Sequence, residues 1–323
     1  MKQRLFVTLS LAGLAMSTFG ATKPKTAIKS LNKTTIQQPT YTEWHDLQVN
    51  AINRFPLHTN FFTYPADDWV SEKDGKIVSK DILHMNKTES KYFLSLDGTW
   101  KFNWVANADQ RPTDFYKEDL DDSKWKTMNV PGNWEMNGFG NPEYVNVGFG
   151  WRGHFDQQPP AVPTKDNHVG SYRRIIDIPA NWDGKQVVAH FGSVTSNIYL
   201  YVNGKFAGYA EDSKVAAEFD ITPYLKKGKN LIAFQTFRWC DGSWDEDQDF
   251  WRLSGVARES YLFARDAQLH LEDIRVTPDL VNNYKDGVLN ISTKVKGNGK
   301  LVFTLFDKDG KQVATTTGVA KNG

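Results

Sequence analysis

From Tyr92 onward the chain reads as short apolar or alternating runs separated by Gly, Asn, Asp and Pro, the spacing of an antiparallel sandwich. The runs Thr99 to Val105, Ser171 to Ile178, Gln186 to Phe191, Asn197 to Val202, Lys205 to Tyr209 and Asn230 to Trp239 all fit strands. The sharpest local signal joins Ile198 to Val202 and Lys205 to Tyr209 through Asn203-Gly204, because both positions of such a hairpin turn need a positive φ. Segments with a helical period are nearly absent, so the pattern predicts an all-β fold. After Ala264 a second set of strand-like runs begins, Leu269 to Val276, Gly287 to Val295 and Lys300 to Phe306, with an Asp-Gly turn at Asp309 and Gly310. These read as the opening strands of a second sandwich. The residues from Arg265 to Gly323 fall well short of the roughly one hundred that an immunoglobulin-like sandwich takes, so that domain is expected to be incomplete and the chain a fragment. Before the first sandwich, Ala21 to Thr40 is rich in Lys, Thr, Gln and Ser without a sustained apolar period, and reads as a linker or arm.

The N-terminus follows a different logic. Lys2 and Arg4 precede the apolar run Leu5 to Met16, and small residues follow at Gly20 and Ala21, the layout of a secretory signal peptide. The run is shorter than the roughly twenty residues of a spanning helix, which predicts export to the periplasm or outside the cell rather than membrane insertion. Hydrophobic residues at 40% supply material for a sizeable core. Thirty-nine Lys and Arg against thirty-eight Asp and Glu leave no electrostatic footprint for nucleic acid or an anionic membrane. The single cysteine, Cys240, cannot form an internal bridge and is expected to be buried beside Trp239 as a small apolar group.

Few catalytic patterns survive inspection. Gly148, Gly150 and Gly153 spell G-x-G-x-x-G, but no helix signal follows in His154 to Pro163, so they read as loop glycines that let Phe149 and Trp151 lie over a surface. There is no Walker P-loop, no H-E-x-x-H and no G-x-S-x-G, and the seven histidines are scattered without ligand spacing. The densest chemical segment is Trp239 to Arg252. Its acids at 245, 247 and 249 imitate the start of a calcium loop, yet Phe250 stands where the sharp turn wants Gly and Val256 where the loop wants Glu. What remains is a loop with several carboxylates between Trp239, Trp244 and Trp251. Carboxylates bond sugar hydroxyls and aromatic faces cover the apolar faces of a pyranose, but such residues also pack and cap sandwich edges, and composition leaves both readings open.

A resemblance weighs on that choice. In order along the chain stand Leu96-Asp97-Gly98-Thr99-Trp100-Lys101-Phe102, Val130-Pro131-Gly132-Asn133-Trp134-Glu135-Met136, Tyr144-Val145-Asn146-Val147 and Val162-Pro163-Thr164. Then follow Val202-Asn203-Gly204-Lys205-Phe206-Ala207-Gly208-Tyr209, Glu211-Asp212-Ser213, Glu218-Phe219-Asp220-Ile221 and Glu246-Asp247-Gln248-Asp249-Phe250-Trp251-Arg252-Leu253-Ser254-Gly255. From about Glu43 to Arg265 the chain closely resembles the N-terminal half of the large family 2 β-galactosidases. The resemblance implies a jelly-roll sugar-binding domain, then an immunoglobulin-like sandwich, then a (β/α)8 barrel bearing the chemistry; with the readings above, the expected all-β chain is a signal peptide over 1–20, an arm and extension over 21–90, a sugar-binding jelly-roll β-sandwich over 91–264 and a truncated immunoglobulin-like β-sandwich over 265–323. The resemblance also implies that the intact enzyme hydrolyses terminal non-reducing β-D-galactosides with retention. Asn146 and Asp249 would contact the galactosyl unit, Asp249 would also be a ligand of a sodium ion, and a magnesium ion would be held in a barrel outside this chain.

One departure follows Asn146, where Gly148-Phe149-Gly150-Trp151 replaces a segment that in the best-known member has Pro and no Trp. Retaining hydrolysis needs two carboxyl groups about 5 to 5.5 Å apart. In the family both are barrel glutamates, the first directly after an Asn; this chain has no Asn-Glu pair and no Arg-x-x-His-Tyr-Pro segment, so no catalytic residue is assigned and the fragment alone is expected to be inactive. A free-standing carbohydrate-binding module, a β-glucuronidase or a β-mannosidase on the same plan stay open as alternatives, as does a homo-oligomer of the full-length enzyme.

Overall fold

The computed structural model describes residues 4–10, 38–73, 76–79, 85–246 and 249–321. The chain divides into two compact units, one of residues 37–57 with 88–265 and one of residues 1–36, 58–87 and 266–323. The described part of the span 21–90, expected as an arm and extension, is thus shared between them, with 21–37, 74–75 and 80–84 outside the described residues.

The larger unit is built on a seven-stranded antiparallel sheet. Its strands run in the order Ala51–Ile52, Lys205–Ala210, Ile198–Val202, Gly228–Phe237, Val169–Ile178, Gly98–Val105 and Lys126–Val130. A four-stranded antiparallel sheet, ordered Ala217–Asp220, Gln186–Phe191, Ser260–Arg265 and Phe93–Ser95, faces it. Side-chain alternation explains the central strands. Ile198, Leu200 and Val202 point into the core between the sheets, where they meet Ala189, Phe191 and Leu262, while Tyr199 and Tyr201 point the other way. Those tyrosines are buried too, because loops close the outer face of the large sheet with Trp44, Phe115, Trp151 and Trp239. Both faces being covered, Ile198 to Val202 is aliphatic or aromatic at every position, the mark of a strand buried on both sides.

The hairpin expected at Asn203-Gly204 is present: Val202 pairs with Lys205, and the turn residues have φ of 50° and 75°. Trp44 stacks on Phe237 with ring centres 5.0 Å apart, and Ile52 pairs with Tyr209, so residues 37–57 contribute core and an edge strand. Cys240 is buried in the cluster that holds Trp239, and burial pushes its thiol pKa well up, which makes it inert packing rather than a nucleophile.

The smaller unit contains the hairpin of His270–Val281 with Asp286–Lys296 and a three-stranded sheet of Arg4–Ser10, Asn298–Phe306 and Gln312–Lys321. The turn at Asp309-Gly310 lets Phe306 pair with Gln312. Its buried cluster is small, Leu271, Val295, Leu301 and Ala320, and Leu280, Tyr284 and Val319 lie exposed. Of the apolar run Leu5 to Met16, the part to Ser10 lies in a strand and the rest lies outside the described residues. Among the described residues no helix is long and apolar enough to cross a membrane.

Candidate functional site

Two three-residue strands bring the predicted site together. Glu143–Val145 pairs antiparallel with Phe250–Arg252 in the register Glu143↔Arg252, Tyr144↔Trp251 and Val145↔Phe250. Asn146 follows Val145 and Asp249 precedes Phe250, so the two residues singled out from sequence stand at the same end of one ribbon, 103 positions apart in the chain, and both are exposed.

The ribbon has two chemically distinct faces. On one, Tyr144 and Trp251 are 54% and 53% exposed and meet edge to face with ring centres 5.8 Å apart. The Tyr144 hydroxyl donates a hydrogen bond to the Asp249 carboxylate, and that bond raises the tyrosine's pKa. On the other face, Arg252 is buried, and its guanidinium donates to the carbonyl oxygens of Phe250 at 2.9 Å and Val145 at 3.4 Å, one on each strand. Glu143 lies opposite Arg252 and places Oε2 2.8 Å from Nη2 of Arg238, a charge contact rather than an aligned hydrogen bond.

Arg238 is 2% exposed and stacks over Trp239. Its Nη1 lies 3.3 Å from Nδ1 of His168. A guanidinium only donates, so Nδ1 accepts and His168 is neutral with its proton on Nε2, which donates to Asp166 at 3.0 Å. Burial, then the Arg238 charge, lowers the His168 pKa to about 4.

A cavity of about 30 Å³ opens beside the ribbon, lined among others by Lys214, Arg238, Glu246, Phe250 and Arg252. Burial lowers the pKa of Lys214 and raises that of Glu246, whose carboxylate accepts the Ser213 N–H at 3.0 Å. Below it, Gly255 pairs with Asn133 and the buried Glu135 carboxyl accepts the Ser254 N–H at 2.9 Å, joining the Val130-to-Met136 motif to the Glu246-to-Gly255 motif. Burial raises the Glu135 pKa.

The aromatic and acidic segment divides in two. Trp239 is buried and Trp244 half-buried; with Phe149 and Trp151 they form a packed cluster in which Trp151 lies 5.4 Å from Trp239 and 5.0 Å from Trp244. Packing explains those two tryptophans, and only Trp251 offers a ring to solvent. The glycines act as loop residues: no helix follows them, and a Cβ on Gly150 would stand 2.7 Å from the Trp239 ring. Phe149 and Trp151 stack on each other at 5.2 Å, so the replaced segment after Asn146 feeds the core rather than the ribbon's exposed face.

Among the acids, Asp241 is buried, with its ligand atom, one of Glu211 and the Cys240 sulfur all within 4.8 Å of one another, the one place among the described residues where three such side chains converge. Burial raises the carboxyl pKa values there, that of Glu211 to about 9. Asp247 lies outside the described residues. Tyr144 is the functional candidate that sequence reasoning passed over; it lies two residues before Asn146 in the Tyr144-to-Val147 motif, but its reach to Asp249 depends on a register that two three-residue strands do not advertise.

Comparison with known proteins identifies the family of the larger unit. The family described as glycosyl hydrolases family 2, sugar binding domain, matches residues 93–266, over half of the chain. A β-galactosidase of Priestia megaterium is 38% identical over 79% of this chain and 24% of its own length, and one of Halalkalibacterium halodurans is 36% identical over 84% and 26%. The β-galactosidase large subunit of Leuconostoc lactis is 35% identical over 84% of this chain and 43% of its own. The chain therefore spans about a quarter of the first two relatives and under half of the third. Among solved structures, a β-glucuronidase of an uncultured Clostridium superposes with a TM-score of 0.51 at 20% identity, over 72% of this chain and 39% of that one. A β-glucuronidase of Ruminococcus gnavus gives 0.53 at 18%, over 72% and 39%. These two likenesses speak to the sandwich fold alone.

Proposed function

The chain belongs to glycosyl hydrolases family 2 through its sugar binding domain, and we propose that it is the N-terminal region of an exported β-galactosidase acting on terminal β-D-galactosides. The observation that carries this reading is the ribbon: Asn146 and Asp249, drawn together by the pairing of Glu143–Val145 with Phe250–Arg252, present an amide and a carboxylate beside one exposed indole. An amide and a carboxylate bond sugar hydroxyls, and the Trp251 ring offers an apolar face. The curated relatives that match most of the chain are β-galactosidases, which supports galactosides as the substrate class.

In this reading the ribbon binds and orients, while the two carboxyl groups of retaining hydrolysis belong to residues beyond this chain. Asp249 fits as one ligand of a sodium ion, an exposed hard oxygen donor already held at one side by Tyr144; when bound, that ion would supply positive charge near the sugar hydroxyls. Magnesium would be held by groups outside residues 1–323. Export would remove the leader, and with it the Arg4–Ser10 strand.

The test is to read the coding frame past Gly323, express the whole product and assay it on aryl β-D-galactoside, β-D-glucuronide and β-D-mannoside beside the chain alone. Turnover of the galactoside by the whole product and none by the chain is expected. A stop directly after Gly323 would favour a binding module. Preference for the glucuronide or mannoside would overturn the substrate, and turnover by pure chain would overturn the division of labour.

A further inference from the structure

Tyr144 sits where it can govern Asp249. In an antiparallel pair, side chains two apart along a strand share a face, so Trp251 and Asp249 project on the same side as Tyr144, which lies directly opposite Trp251. Asp249 is then the diagonal neighbour of Tyr144, about 7 to 8 Å away at the backbone, a gap that a phenol spans and a shorter side chain does not. The hydroxyl makes that reach and donates to one carboxylate oxygen. The other oxygen has no hydrogen-bond partner among the described residues. The Tyr144 ring is itself held edge to face against Trp251, and the backbone beneath is fastened by Arg252 to both strands.

We propose that Tyr144 is the positioning residue for Asp249, fixing one carboxylate oxygen so that the other faces the sugar. The proposal rests on the reading of Asp249 as a sugar contact. An exposed aspartate otherwise samples several rotamers, and a hydrogen bond donated to a carboxylate is among the stronger ones, so a single phenol suffices to select one. Preorganisation of this kind appears in binding and in the transition state, not in the stability of the sandwich, because Tyr144 is exposed.

The experiment is a double-mutant cycle in the full-length enzyme on an aryl β-galactoside with Tyr144→Phe, Asp249→Asn and both together. Tyr144→Phe keeps the ring against Trp251 and removes only the hydroxyl; a drop in kcat/KM of about three- to tenfold is expected, with the melting temperature unchanged. Placed on top of Asp249→Asn, the same change should cost less than twofold. Wild-type kinetics for Tyr144→Phe beside an impaired Asp249→Asn enzyme would overturn this proposal alone, as would an equal loss in both backgrounds. Wild-type kinetics for Asp249→Asn would sink the reading of the site itself, and this proposal with it.

Discussion

Glu143 and Arg238 tie the ribbon to the sandwich, and their different exposures predict an asymmetric response to mutation. The Arg238 side chain is 2% exposed and that of Glu143 is 36% exposed, with 2.8 Å between their charged atoms. Glu143→Gln would leave a buried guanidinium with a neutral imidazole as its hydrogen-bond acceptor and the buried Glu135 carboxyl as a charged neighbour, and Nε has no hydrogen-bond partner among the described residues. Breaking a buried pair in this way costs about 3 to 5 kcal/mol, and partial access to water on the glutamate side places the expected loss near 3. Arg238→Met instead leaves a carboxylate that already reaches water and fills the buried volume with an apolar chain, so a loss of about 1 kcal/mol is expected. Urea unfolding of the chain at neutral pH, followed by near-ultraviolet circular dichroism of the buried tryptophans, measures both. Equal losses, or a larger loss for Arg238→Met, would refute the claim that the cost lies in stranding the buried cation.

Two further outcomes follow from the same region. His168 has a folded pKa of about 4, below the ordinary value of 6.5, so the unfolded chain takes up the proton first as pH falls; its contribution is complete above pH 6.5 and is lost toward pH 4. His168→Gln should therefore narrow its stability gap to the wild type as pH drops from 6.5 to 4, and a gap that stays constant in urea midpoints across that range would count against the neutral tautomer. Gly150→Ala would set a Cβ 2.7 Å from the Trp239 ring and should cost about 1 to 3 kcal/mol by overpacking, whereas Gly153→Ala meets nothing within 4 Å and should cost only its backbone strain at φ +91°. An unchanged melting temperature for Gly150→Ala would contradict the packing assignment.

Much of the sandwich was legible because its strands carry strong local signals. Asn203-Gly204 announces its own hairpin, and Ile198 to Val202 is apolar or aromatic at every position because both of its faces are covered. The burial of Trp44 was not legible, since its segment shows little apolar period and gains its place only by stacking on Phe237. In the site, the resemblance pointed to Asn146 and Asp249, and the pairing that joins them is visible only in three dimensions. Trp239, Trp244 and Trp251 look alike along the chain; whether an indole packs or faces solvent is decided by the ring cluster around Trp151 and by the strand alternation that turns Trp251 outward.

The claim that this chain lends substrate contacts to a galactosidase rests most heavily on the charge of Asp249. Replacing it by Asn keeps the shape and removes the charge, and losing a charged partner of a sugar hydroxyl costs about 2 to 4 kcal/mol in transition-state stabilisation. Measured on the full-length enzyme with an aryl β-galactoside, with and without sodium, Asp249→Asn should lower kcat/KM by a factor on the order of 10² and weaken the sodium response. Wild-type kcat/KM with an unchanged sodium response would show that Asp249 is a structural loop residue and that the ribbon does not touch the sugar.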